Sequence, residues 1–241
     1  MAKKSPSLAQ KPPRKKYLWW LFREVDSIIA RDPAARHRLE VILLFHNYHA
    51  VKIHRLNHFL WHCHLKLLAK FITLLVRIWS GIEIHPAAAI GKRLFIDHGM
   101  GVVIGETATI GDDVTLYHGV TLGGVSPSVN ADKQRLQKRH PSLENNVIVG
   151  SGAQILGPIT VGQGARVGAN AVVVKDVPPY STVVGIPAKV VEQWNKNDTK
   201  HDSFSAYGVS QKSATSDPLL NDIKQLQKRI SQLEQQAKKK K

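Results

Sequence analysis

The chain has 241 residues, 43% of them hydrophobic, enough for one domain with a buried core plus smaller accessory segments. A single cysteine, Cys63, excludes an intrachain disulfide, and no charged-then-apolar leader opens the sequence, which points to a cytoplasmic protein. The net charge of +16 suggests nucleic acid until it is located: Lys3, Lys4, Lys11, Arg14, Lys15, Lys16 and Lys238 to Lys241 hold ten of these charges, and like-charge blocks at chain ends read as solvated tails.

Residues 1–16 mix Lys, Pro and Ser without apolar periodicity, so a disordered basic tail is expected. From 17 to 80 apolar residues recur at helical spacing, which predicts an α-helical segment of two or more helices. Asp32-Pro33 reads as an N-cap followed by proline in the first turn of a new helix. The most apolar stretch, Leu65 to Trp79, is broken by Lys66, Lys70 and Arg77 and falls short of the roughly 20 residues of a membrane span. His54, His58 and His62 stand at i, i+4 and i+8, but no cysteine or carboxylate completes the set, so no metal is assigned.

From residue 81 the period becomes six. Aliphatic residues fall at Ile84, Ile90, Ile96 and Val102, then after a two-residue offset at Ile104, Ile110, Leu116 and Leu122, and again at Val149, Ile155, Val161, Val167 and Val173. A flat-sided coil explains this: one aliphatic residue in six points inward, glycine accommodates the turn, and Ala108, Ala153, Ala165 or Ala171 fills a corner. Three sides close one coil, and stacked coils over 81–192 form a parallel β-helix. The polar run 125–138 does not fit the period and is expected to loop out. Beyond it, 193–241 reads as a linker followed by Leu219, Ile223, Leu226, Ile230 and Leu233 at heptad spacing, either a short coiled coil or a lone amphipathic helix.

The segments Gly81-Ile-Glu-Ile-His-Pro-Ala87, Ile96-Asp-His-Gly-Met-Gly-Val-Val-Ile-Gly-Glu-Thr107, Val120-Thr-Leu-Gly-Gly124, Lys138-Arg-His-Pro141 and Val184-Gly-Ile-Pro-Ala-Lys189 resemble short-form bacterial serine O-acetyltransferases of the hexapeptide-repeat acyltransferase superfamily. The resemblance spans about residues 20 to 192. It implies an N-terminal helical segment, a left-handed parallel β-helix, and acetyl transfer from acetyl-CoA to L-serine, with no bound cofactor and no metal. Such a reaction must take a proton from a neutral hydroxyl, for which histidine is the natural base.

The resemblance selects His98 as that base, with Glu83 as its orienting carboxylate and His140 completing the pocket. The enteric enzymes carry Asp in place of Glu83. Asp32 and Asp97 are implied for the serine ammonium or hydroxyl, and Arg139 for its carboxylate, a two-pronged pairing suited to a guanidinium, with His140 also among the serine-binding residues. At Asp32 the capping role competes, and the two can coexist. Acetyl-CoA is implied along a groove between neighbouring solenoids, near Gly124, Ser151, Arg166 and Lys189, where solvated basic residues are the plain alternative. The resemblance further implies a homotrimer or hexamer and feedback inhibition by cysteine. A complex with O-acetylserine sulfhydrylase is not expected, because relatives that form it end in isoleucine and this chain ends in four lysines. The rival readings are acetyl transfer to another amino alcohol or a sugar, a zinc carbonic anhydrase on the same solenoid, and a non-enzymatic scaffold.

Overall fold

The computed structural model describes residues 22–125, 137–194 and 218–239. The expected basic tail, most of the 125–138 insertion and most of the linker lie outside these residues.

Four helices come first: α1 (Arg23–Arg31), α2 (Arg38–Leu44), α3 (His46–His62) and α4 (Lys66–Ser80). Asp32 closes α1 instead of opening α2. Its backbone is extended, its N–H bonds to the Ile28 carbonyl, and Pro33 lies in a turn. A residue before proline is driven out of the α region, so the helix stops there. The side chain still makes a local bond, accepting from the Ala34 N–H at 2.8 Å. α4 ends at Gly81, whose φ of 70° supplies the left-handed stop.

The chain then winds in coils of three short strands. β1 (Glu83–Ile84), β2 (Ala89–Ile90) and β3 (Phe95–Ile96) form the first, and β4 (Val103–Ile104), β5 (Thr109–Ile110) and β6 (Thr115–Leu116) the second. β7 (Thr121–Gly123), β8 (Ser142–Leu143) and β9 (Ile148–Val149) make the third, and β10 (Gln154–Leu156), β11 (Thr160–Val161) and β12 (Arg166–Val167) the fourth. β13 (Val172–Val173) and β14 (Ser181–Val184) continue the stack, and β15 (Lys189–Gln193) turns back antiparallel on β14. Stacking gives three parallel faces: face A, β1-β4-β7-β10-β13; face B, β2-β5-β8-β11; and face C, β3-β6-β9-β12-β14, with β15 at its edge.

The aliphatic ladder is the core. Ile84, Ile104, Leu122 and Ile155 stack inside face A, and Ile96, Leu116, Val149 and Val167 inside face C, all at most 5% exposed. Each such side chain contributes about 1.5–3 kcal/mol by leaving water. Val102 does not belong to this ladder. It joins Ala108, Val114 and Val120 in a second buried row at the corners, and the next inward residue after Ile96 is Ile104. The two-residue offset in the sequence is therefore an enlarged corner between β3 and β4, holding Asp97 and His98.

Glycine does two separate jobs here. Gly91 and Gly150 sit where an added Cβ would meet the next coil's backbone at 2.5 and 2.6 Å, so they permit close stacking and not a turn. The turn positions with positive φ are others: Gly101, Gly119 and Gly152, stacked at the corner between faces C and A.

Helix α3 lies against the open end of the first coil and supplies partners to its carbonyls. Asn47 bonds to the Ile96 carbonyl, Arg55 to those of Ile90 and Gly91, and His58 to that of Pro86 at 2.8 Å. Arg31 fastens α1 to the second coil through the Val114 carbonyl at 3.2 Å, and to the first through the Arg93 carbonyl at 2.6 Å. Burial lowers its pKa to about 10, which still leaves it charged at neutral pH. Such ends must be capped, because unpaired backbone groups carry a desolvation cost.

The heptad segment is helical, α5 (Pro218–Lys239). Among the described residues no helix is long and apolar enough to cross a membrane.

Candidate active site

The enlarged corner between faces C and A gathers the first group. Asp97 follows β3 directly and is half-buried; burial raises its carboxyl pKa, opposed by the neighbouring His98 and reinforced by the negative charge of Asp32. His98 projects into solvent with its side chain 76% exposed and its Nε2 3.9 Å from Asp97 Oδ1. Its backbone takes φ 59°, followed by Gly99 at 80°. A left-handed non-glycine residue costs about 1–2 kcal/mol, so the fold holds this histidine in place against its own preference. The His46 side chain donates from Nε2 to the His98 carbonyl at 2.8 Å.

Above His98 stands His118, its ring edge-on at a centroid distance of 5.9 Å. The Tyr117 hydroxyl belongs to the same group: burial and the charges of Asp97 and Asp32 raise its pKa. Ser151 occupies the same corner one coil further, in line with His118 through the Gly152 N–H bonded to the His118 carbonyl at 2.8 Å. Asp32, Asp97, His98 and Ser151 therefore share one edge of face A. Tyr117 and His118 join them without having been singled out by the sequence, where nothing separates them from other residues of a repeat.

The second group lies at the other edge of face A, at the corner toward face B. His140 is buried, 8% exposed, and its ring lies on Gly105, where a Cβ would come within 2.2 Å of Nε2. Its Nδ1 accepts the Thr107 N–H at 3.1 Å and stands 2.8 Å from the Thr107 hydroxyl. That hydroxyl oxygen also receives the N–H groups of Arg139 and His140 at 3.0 and 3.1 Å. One threonine thus sets the conformation of both pocket residues, and a single Thr in a hexapeptide repeat carries no visible sign of it.

Arg139 Nη2 bonds to Glu106 Oε2 at 2.7 Å. Burial pushes the Glu106 carboxyl up, but the Arg139 hydrogen bond and the nearby His85 outweigh it and the net shift is downward. His140 is held below the usual imidazole range by burial and then by the Arg139 charge, so it is neutral near pH 7. His85, also lowered chiefly by burial, accepts the Ala87 N–H at Nδ1 and packs edge-on against Trp61. Glu83, two residues earlier in the same coil, lines with it a recess of about 270 Å³ shared with Lys70 and Arg77, and pairs with Arg77 at 2.9 Å. Gly124 borders a second recess of about 340 Å³ with Lys138, Arg139 and His140.

The predicted residues are thus brought together in two sets, not one. His98 with Asp97 and Asp32 is at one edge of face A; Arg139, His140 and Gly124 are at the other, and Glu83 opens β1 on the face between them. Within one chain Glu83 binds Arg77 and not His98. Arg166 lies on face C beneath the Trp194 ring at 4.9 Å, and Lys189 is exposed on β15.

The bacterial transferase hexapeptide family (six repeats) matches residues 140–175. A serine acetyltransferase of Bacillus pumilus is 44% identical over 216 residues, covering 88% of this chain and 91% of that protein. One of Mycobacterium tuberculosis is 55% identical over 163 residues, 68% of each. The chain belongs to the serine acetyltransferase family.

Solved serine acetyltransferases superpose on it. That of Neisseria gonorrhoeae in complex with serine gives a TM-score of 0.64 at 42% identity, over 69% of this chain and 65% of that one. The Brucella abortus enzyme in complex with coenzyme A gives 0.67 at 38%, over 71% and 66%. Membership makes the stacked coils a left-handed parallel β-helix.

Proposed function

We propose that this chain transfers the acetyl group of acetyl-CoA to the hydroxyl of L-serine, giving O-acetyl-L-serine and CoA, in a site completed between two copies of the chain. The observation that carries the reading is the division of complementary groups over the two edges of one face. One edge offers carboxylates and a solvent-facing base, and the other a guanidinium and a neutral histidine. An amino acid presents the matching cation, hydroxyl and anion.

In this reading Asp97 and Asp32 receive the serine ammonium, while Arg139 and His140 of an adjacent copy receive the carboxylate. A guanidinium carries five N–H donors, so the bond to Glu106 does not exhaust the fork. His98 Nε2 takes the proton from serine Oγ as that oxygen attacks the thioester carbonyl. The tetrahedral intermediate collapses by breaking the C–S bond, and His98 returns the proton to the departing thiolate. Glu83 is the orienting carboxylate, and acetyl-CoA lies between solenoids near Gly124 and Ser151, with Arg166 and Lys189 toward its phosphates. Side-by-side association as a homotrimer, with the helices available to pair trimers into hexamers, satisfies the geometry. Cysteine, which differs from serine only by sulfur for oxygen, fits the same groups and is the expected inhibitor; one solved relative is a complex with cysteine. The helices of the described residues are consistent with a cytoplasmic enzyme.

The test is thiol release from acetyl-CoA with L-serine, homoserine and no acceptor. Serine-dependent release is expected, falling at least a hundredfold in His98→Ala. Mixing His98→Ala chains with His140→Ala chains, unfolded together and refolded, restores activity if the two edges belong to one shared site. Release with homoserine or a sugar but not serine transfers the activity to another acceptor. Failure of the mixture to regain activity overturns the shared site.

A further inference from the structure

Helix α5 carries a narrow apolar stripe that the activity does not use. Ile223, Leu226, Ile230 and Leu233 are 42%, 63%, 55% and 51% exposed. Steps of three and four place them on one side. Lys224, Gln225, Lys228, Ser231, Gln232 and Gln235, on the remaining outward positions, are polar or basic and exposed. A helix packed on a globular core shows a wider stripe, about three positions in seven; two in seven is the seam of a coiled coil.

We propose that α5 pairs with α5 of a second copy of this chain as a parallel two-stranded coiled coil. With Ile223 and Ile230 at the a positions, Leu226 and Leu233 take the d positions, and isoleucine at a with leucine at d favours two strands. The charges then select the partner and its direction. The sequence has Arg229 at a g position and Glu234 at the following e position. In a parallel pair, g of one helix faces the next e of the other, so the same opposite-charge pair forms twice, and only a second copy meets it in this symmetric way. An antiparallel pair of equal overlap sets Arg229 against Arg229, which is repulsive. The lysines and glutamines on the outer face remain in water. The proposal rests on no part of the acetyl-transfer chemistry.

The experiment uses the full chain with Cys63→Ser and one new cysteine, either Leu226→Cys on the seam or Lys228→Cys on the outer face, under mild oxidation. A parallel pair brings residue 226 against its own copy, so disulfide-linked dimers are expected at least tenfold more abundantly from Leu226→Cys than from Lys228→Cys. Adding Ile230→Glu to the Leu226→Cys chain should abolish the link. Equal capture at both positions, no capture at 226, or capture that survives Ile230→Glu overturns the pairing. Mixed chains bearing Leu226→Cys and Ile230→Cys that link to each other in preference to themselves overturn the parallel direction. The link is read on a non-reducing gel, so it stands or falls separately from serine-dependent thiol release. That release, unchanged in Ile230→Glu, shows that the solenoid is intact.

Discussion

His46, the first residue of α3, donates a hydrogen bond from its side chain to the main-chain carbonyl of His98. This bond anchors a residue whose φ of 59° is intrinsically unfavourable, and it does so from outside the solenoid. His46→Phe should therefore reduce kcat roughly tenfold to a hundredfold through misplacement of the proposed base, with KM for acetyl-CoA unchanged. Equal kcat in variant and wild type would show that the corner holds its shape without α3.

Thr107 holds Arg139 and His140, the residues proposed for the serine carboxylate. Thr107→Val keeps the volume and deletes the oxygen that receives two N–H groups. KM for serine should rise about tenfold, equivalent to about 1.4 kcal/mol, while Thr107→Ser retains most of the wild-type value. A loss of kcat with KM unaltered would place Thr107 in the chemical step instead.

His54, 3% exposed between α3 and α4, gives a pH-dependent share of stability. Burial, with the charges of His58 and Arg55, pushes its pKa down to about 3. The unfolded imidazole protonates near pH 6.5, so between about 6.5 and 3 the unfolded state binds more protons and folding stability falls as pH falls. The slope from this residue is at most about 1.4 kcal/mol per pH unit. Urea midpoints of wild type and His54→Phe at pH 7 and pH 5 should converge or cross toward the lower pH. A constant difference would assign the acid sensitivity elsewhere.

Leu116, fully buried in the second coil between Ile96 of the first and Val149 of the third, is a position where the ladder cannot refill a cavity. Leu116→Ala should cost about 2–5 kcal/mol by denaturant unfolding. A cost under about 1 kcal/mol would mean that the coils relax onto the missing volume.

The coils were legible because every inward residue must be apolar, and that requirement repeats every six residues whatever the chemistry outside. The offset after Ile96 was visible too, but Val102 obscured its position, since an aliphatic residue at a corner and one on a strand look alike in sequence. The glycines were legible as a requirement and misleading as to cause: Gly91 and Gly150 are set by the backbone of the next coil, which no local pattern reports. Candidate residues could be named through family resemblance, yet their separation over two edges of face A depends on which corner each occupies. Asp32 was harder, because a residue before proline can begin or end a helix, and the preceding apolar residues of α1 decided for the end. Thr107 and Tyr117 gave no sign, since their roles lie in contacts with distant coils.

The enlarged corner between β3 and β4 shows how this architecture can change its chemistry. Glu83 pairs with Val103 twenty residues on, whereas Val103 pairs with Thr121 only eighteen on, and the strands remain in register through both. Extra residues at this corner leave the register intact, and β8 likewise pairs in register with β5 after the long stretch that follows β7. For such a scaffold, length variation at corners is nearly silent for folding and expressive for binding. New specificities can therefore arise by insertion as readily as by substitution, without the ladder beneath having to be rebuilt.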